Sequence, residues 1–140
     1  MPLEKSAGAI IFLKENKKIY YLLLHYQASH WDFSKGNIEK GEKLDQTVKR
    51  EIKEETGIED IKFIPGFKES IKYFYKLKGK NIFKIVTFFL AESPEKEVKI
   101  SWEHIGYQWL PYQEAIVQLT FKNAKEILKK ANDFLSKKSL

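Results

Sequence analysis

"GNIEKGEKLDQTVKREIKEETGIE", residues 36–59, opens as a turn punctuated by Gly36 and Gly41 and continues as helix-forming residues from Leu44 to the next glycine, Gly57. At about 100° per residue, Leu44, Val48 and Ile52 form an apolar stripe. Glu51 and Glu55 project close to Leu44 on the same count, so the spacing predicts a helix over 44–56 that turns two carboxylates inward. Glu51, Glu54 and Glu55 stand at i, i+3 and i+4 and share one helix side. Like charges this close repel, and burial adds a desolvation penalty. Either solvent screens the group or a cation neutralises it; Lys49 and Lys53 lie on the opposite face and are poor partners. Carboxylates without histidine or cysteine among them suit a hard divalent ion, Mg²⁺ or Mn²⁺. On the residues alone both arrangements stay open.

The 140 residues, 43% hydrophobic and 14% aromatic, suit a single compact domain, 1–140, with a sizeable core. No repeat or low-complexity tail interrupts them. The apolar runs "AGAIIFL" and "IYYLLL" fall far short of the roughly 18 residues a membrane span needs. Zero cysteines exclude disulfides and thiolate metal sites, and the start of the chain has no secretory pattern, so the expectation is a cytoplasmic protein without a membrane partner. A formal net charge of +6 suits an anionic ligand. The lysines are spread along the chain without a dense block, which argues against nucleic acid. A monomer or weak dimer is expected.

Of the 25 basic residues, 24 are lysine, and Arg50 is the only arginine. Arginine offers a planar fork that can hold a carboxylate bidentately, whereas lysine is a flexible point charge. Arg50 is therefore either a clamp on a neighbouring glutamate or an arginine placed without a reason.

Residues 6–14 and 18–26 read as strands joined by the polar turn "ENKK", followed by a long loop over 30–43. The apolar, aromatic stretches 63–77 and 82–92 flank the turn "LKGKN" and read as a long antiparallel hairpin. After a charged loop over 93–101 come a short strand, 106–110, and a proline-led helix, 111–119. A last helix over 122–137 has apolar spacing through Ala124, Ile127, Leu128, Ala131 and Leu135. This mixture predicts an α/β or α+β fold with a helix on each side of a sheet.

Gly36, five residues, Glu42, seven residues, then Arg50-Glu51-Ile52-Lys53-Glu54-Glu55-Thr56-Gly57-Ile58 resembles the Nudix box at every defined position. The resemblance implies a Nudix hydrolase: an α/β/α sandwich with a central mixed β-sheet, cleaving a nucleoside diphosphate linked to another moiety. It further implies that Glu51, Glu54 and Glu55 are catalytic metal ligands, with the Gly36 carbonyl as a further ligand. Arg50 then orients a glutamate, and Glu42 supports from outside the ligand set. Glu103, in "SWEHIGYQWL", is the loop candidate for a distal acidic residue acting as general base and metal ligand.

The flanks resemble the asymmetrical diadenosine tetraphosphate hydrolase subgroup. "HWDFSKGNIEKGE" is similar to its H-W-x-x-x-K-G-x-x-x-x-G-E loop, with Ser34 where that subgroup has proline; "GFKESIKYFY", "FKIVTFFLAE", "WEHIGYQWL" and "NDFL" resemble its later segments. The implied reaction is cleavage to ATP and AMP. The alternative within the family is pyrophosphohydrolysis of oxidised nucleoside triphosphates or of RNA 5′ ends. A dinucleoside polyphosphate or nucleotide needs basic groups along its phosphates and aromatic faces for its bases. Lys35, Lys80, Lys84 and His30 are the expected phosphate contacts. Tyr75, with Tyr26, Phe88 and Phe134, is an expected stacking residue, though Phe88 and Phe134 read better as core.

Overall fold

A computed structural model describes residues 2–138. Its elements are β1 (Leu3–Glu15), β2 (Lys18–Tyr26), β3 (Trp31–Asp32), β4 (Ser34–Asn37), α1 (Leu44–Thr56), β5 (Lys62–Leu77), β6 (Lys80–Glu92), β7 (His104–Pro111), α2 (Tyr112–Gln118) and α3 (Lys122–Lys137). The seven strands form one sheet, ordered β3-β2-β1-β6-β5, with β4 added to β1 and β7 to β2. β1 and β6 pair in parallel and the other pairs are antiparallel, so the sheet is mixed.

Alternation along the strands sorts the core into two layers. From β1 and β2, Ile10, Phe12, Tyr21 and Leu23 face α2 and α3, meeting Ala115, Ala124, Ile127, Leu128, Ala131 and Leu135. Ala7, Ala9, Ile11, Leu22 and Leu24 face the other way, against Val48 and Ile52 of α1. Burying Val48 and Ile52 stabilises the α1 layer by about 1.5–3 kcal/mol each. Helices thus cover both faces of the sheet, as expected of an α/β/α sandwich. Helix α1 ends at Gly57, whose φ of 75° closes the last turn with its N–H on the Lys53 carbonyl at 2.9 Å.

The expectation of an unbroken loop over 30–43 is corrected. Residues 31–32 pair with β2, and residues 34–37 run antiparallel to β1, Ser34 opposite Ala9 and Gly36 opposite Ala7. Four residues, one of them Gly36, carry too little apolar alternation to read as a strand; the sheet edge offered by β1 recruits them. That pairing holds Gly36 beneath α1.

Candidate active site

Loop 38–43 folds back so that Glu42 lies beside the first turns of α1. Its Oε1 accepts hydrogen bonds from the Glu39 N–H at 2.9 Å and the Thr47 hydroxyl at 2.8 Å. Arg50 grips the same carboxylate with its fork, Nε to Oε2 at 2.7 Å and Nη2 to Oε1 at 3.0 Å. Nη1 donates to Glu51 Oε1 at 2.7 Å, Nη2 to the Asn37 carbonyl at 2.9 Å, and Glu54 stands 3.3 Å away. One guanidinium therefore ties loop, strand β4 and helix together, which a lysine ammonium has no geometry to do. The Arg50 hydrogen bond, helped by the Glu39 N–H, holds the Glu42 carboxyl down to about 2.

The two inward glutamates meet β4. Glu51 packs on Gly36 so closely that a Cβ there would lie 2.0 Å from Glu51 Cδ. Any larger residue would expel the carboxylate. Glu55 is almost fully buried, with Oε1 accepting from the Ser34 hydroxyl at 2.6 Å and the Lys35 N–H at 3.1 Å. Ser34, the departure from the subgroup's proline, thus fixes the orientation of Glu55. Glu54 points outward, its side chain 58% exposed. Burial raises the Glu51 carboxyl against the opposing pull of Arg50. Burial also pushes Glu55 up to about 8; the Ser34 hydrogen bond opposes this, and the charges of Glu51 and Glu103 add to it.

Among the described residues, no three histidine, aspartate or glutamate side chains converge as a ready-made ion cage. Arg50 occupies Glu51, and Glu54 faces solvent. The chemistry of the set nevertheless fits a hard divalent cation. Its donors are carboxylate oxygens, Glu51 and Glu103 both act electrostatically on the buried Glu55, and Gly36, with no side chain of its own, lets the Glu51 carboxylate close onto the backbone of β4. His104 Nε2, buried and without a hydrogen-bond partner, lies 3.6 Å from Glu55 Oε2.

Beside the carboxylates, on the α3 side of the sheet, lies a cavity of about 620 Å³ lined by Tyr26, His30, Asp32, Lys35, Ile71, Tyr73, Lys84 and the start of α3 from Phe121 to Ala124. The His30 ring stacks on Tyr26 at 4.5 Å, and Phe121 lies 5.3 Å from His30. Burial lowers the His30 pKa. Lys35 Nζ pairs with Asp32 at 2.9 Å; burial works against its charge, but the field and hydrogen bond of Asp32 prevail and raise its pKa. Lys84 pairs with Glu4 at 3.0 Å, and Glu4 also accepts from the Tyr75 hydroxyl at 2.6 Å.

Of the expected substrate contacts, His30, Lys35, Lys84 and Tyr26 line this cavity, whereas Tyr75 and Lys80 do not. Tyr75 stands one strand repeat beyond the lining Tyr73, with ring centroids 6.4 Å apart, and touches the site through Glu4. Lys80 is exposed at the end of the hairpin. Phe88 is buried in the core against Phe33, and Phe134 packs on Phe67, so neither offers a face to a base. Glu103 is exposed on the turn before β7. Asp32, Tyr73 and Phe121 also line the cavity, and Ser34 and His104 stand against Glu55; the sequence assigns none of these five a role in the site. Asp32 at i−3 from Lys35 was a readable ion-pair signal; Phe121, before a helix far along the chain, gave none.

A NUDIX domain profile matches residues 2–131. A mouse protein named bis(5′-nucleosyl)-tetraphosphatase [asymmetrical] is 36% identical, with 94% of this chain and 95% of that protein aligned. The pig protein of the same name is 37% identical over the same shares. Among solved structures, a Caenorhabditis elegans Ap4A hydrolase in a binary complex superposes with a TM-score of 0.84 at 32% identity, covering 95% of this chain and 98% of that one.

Proposed function

This chain belongs to the Nudix hydrolase family, and from that premise we propose that its single domain, 1–140, cleaves diadenosine tetraphosphate asymmetrically to ATP and AMP in a divalent-metal-dependent reaction. The observation that carries the reading is the double position of Lys35. Its backbone N–H holds Glu55, while its side chain lines the cavity, so carboxylates and cavity meet at one residue. The size and name of the mouse, pig and nematode relatives, matched nearly end to end, support the tetraphosphate over other phosphoanhydrides.

Glu51, Glu54 and Glu55, with the Gly36 carbonyl and Glu103, are the proposed holders of Mg²⁺ or Mn²⁺. When bound, such an ion offsets phosphate charge and acidifies water. The chain's own groups do the rest. Arg50 keeps Glu51 and Glu42 in place. Ser34 and the Lys35 N–H fix Glu55 toward the centre of the site. Lys35, Lys84 and His30 hold the phosphates entering the cavity, and the Tyr26–His30 stack with Phe121 takes the adenine of the ATP half. Glu103 accepts the proton of the attacking water. A new P–O bond forms at the terminal phosphorus that carries the second adenosine; the anhydride bond to the ATP half breaks, and ATP leaves.

The test is a substrate panel under one buffer, with and without chelator: diadenosine tetraphosphate, 8-oxo-dGTP, ATP and 5′-triphosphorylated RNA. The expected result is the highest kcat/KM for the dinucleotide, abolished by chelation and restored by Mg²⁺ or Mn²⁺. A clear preference for 8-oxo-dGTP or for RNA would move the assignment to another Nudix pyrophosphohydrolase.

A further inference from the structure

The geometry points to a second nucleoside subsite on the turn 101–104, with the Trp102 ring as its platform; this inference rests on the dinucleotide reading above. A dinucleoside tetraphosphate carries a base at each end of its phosphate chain, and the cavity provides one aromatic stack, His30 on Tyr26 with Phe121 beside them. With one base held there and the scissile phosphate at the glutamates, the other nucleoside emerges on the far side of those glutamates.

Contacts running outward from the cavity lead to Trp102. Tyr26 meets the His104 ring edge-on at 4.3 Å, and His104 Nε2 lies 3.6 Å from Glu55 Oε2. His104 closes the turn, its N–H on the Ser101 carbonyl at 3.1 Å and its Nδ1 sharing a hydrogen bond with the Ser101 hydroxyl at 3.1 Å. Trp102 and Glu103 form the tip. The turn is fastened to both parts of the site: Ser101 N–H donates to the Glu55 carbonyl at 3.3 Å, and Gln27 N–H to the Glu103 carbonyl at 3.0 Å. The Gln27 side-chain amide also donates to the Trp102 carbonyl.

Trp102 is 81% exposed, the most exposed large apolar side chain of those described. The other two tryptophans are engaged: Trp31 stacks on His25 at 4.3 Å, and Trp109 Nε1 donates to the Lys96 carbonyl at 2.8 Å. A lone exposed tryptophan on a surface is ordinary. One on a backbone-pinned turn, next to an acid whose charge acts on Glu51 and Glu55, is placed to receive a base as it leaves the glutamates. Base–aromatic stacking accepts any base, so the subsite takes a nucleoside 5′-phosphate with little base selectivity.

The experiment compares wild type, Trp102→Ala and Trp102→Phe on diadenosine tetraphosphate and on adenosine 5′-tetraphosphate, which lacks the second nucleoside. Trp102→Ala is expected to lower the ratio of the two kcat/KM values about tenfold, and Trp102→Phe to recover most of it. In parallel, AMP is titrated against tryptophan fluorescence in chelator-treated protein, where no hydrolysis occurs. A saturable quench present in wild type and missing in Trp102→Phe is expected. An unchanged ratio, or a quench of equal size in Trp102→Phe, overturns the subsite. If the wild type cleaves no dinucleotide yet the Trp102-dependent quench persists, the proposed reaction falls and the subsite stands.

Discussion

An Arg50→Lys substitution keeps the charge and discards the fork that spans Glu42, Glu51 and the Asn37 carbonyl. It is expected to lower kcat about 10- to 100-fold, the range for a group that orients metal-binding carboxylates, with a smaller change in KM. Steady-state kinetics with wild-type turnover would reduce Arg50 to an ordinary surface cation. Glu55 carries a different prediction, because it is buried. Glu55→Gln should slow turnover by about two decades, near 2.7 kcal/mol of transition-state stabilisation, while leaving the fold intact by circular dichroism. In chelator-treated protein, burial raises the folded-state pKa of Glu55 from an ordinary 4.5 to about 8. The folded state then keeps a proton that the unfolded chain releases, so this contribution to stability is complete below 4.5 and lost as pH rises through about 8. Melting temperature measured over that window in chelator should fall more steeply for wild type than for Glu55→Gln; parallel curves would show that Glu55 does not titrate there.

At the scale of elements, the site depends on how β4 sits under α1. Gly36→Ala places a methyl 2.0 Å from Glu51 Cδ, so the glutamate must swing out or the strand must shift. Activity is expected to fall by about two decades, with a lowered melting temperature, and activity near wild type would separate Glu51 from Gly36. Helix α1 was legible to the residue, since a glycine-bounded run with one apolar stripe leaves little choice of boundary. The hairpin, expected over 63–77 and 82–92 from its alternation about a polar turn, was legible to within two residues, with Phe74 opposite Phe83. Strand β4 was not, because its pairing comes from the free edge of β1 rather than from its own four residues. The site divides along the same line. Carboxylates crowded on one helix, and a single arginine among lysines, leave a local trace. The Ser34 hydroxyl bound to Glu55, and Phe121 brought to His30 across 91 positions of chain, depend on tertiary packing that no local pattern encodes.

Over the whole molecule, the sheet separates two tasks. Under the proposed function, the α1 side holds the carboxylates at the reacting phosphate, and the cavity reaching the start of α3, with Lys35 and Lys84, takes the ATP half. β4 joins them, because Gly36 lies under Glu51 on one side while the neighbouring Lys35 lines the cavity on the other. The proposed function gives the substrate a direction: ATP half in the cavity, AMP half at the glutamates, water attacking the phosphorus of the AMP half. Hydrolysis of diadenosine tetraphosphate in ¹⁸O-labelled water, with the products separated by ion exchange and weighed by mass spectrometry, tests that assignment directly. Equimolar ATP and AMP, with the label on AMP alone, are expected. Two molecules of ADP, label on ATP, or no cleavage would contradict it.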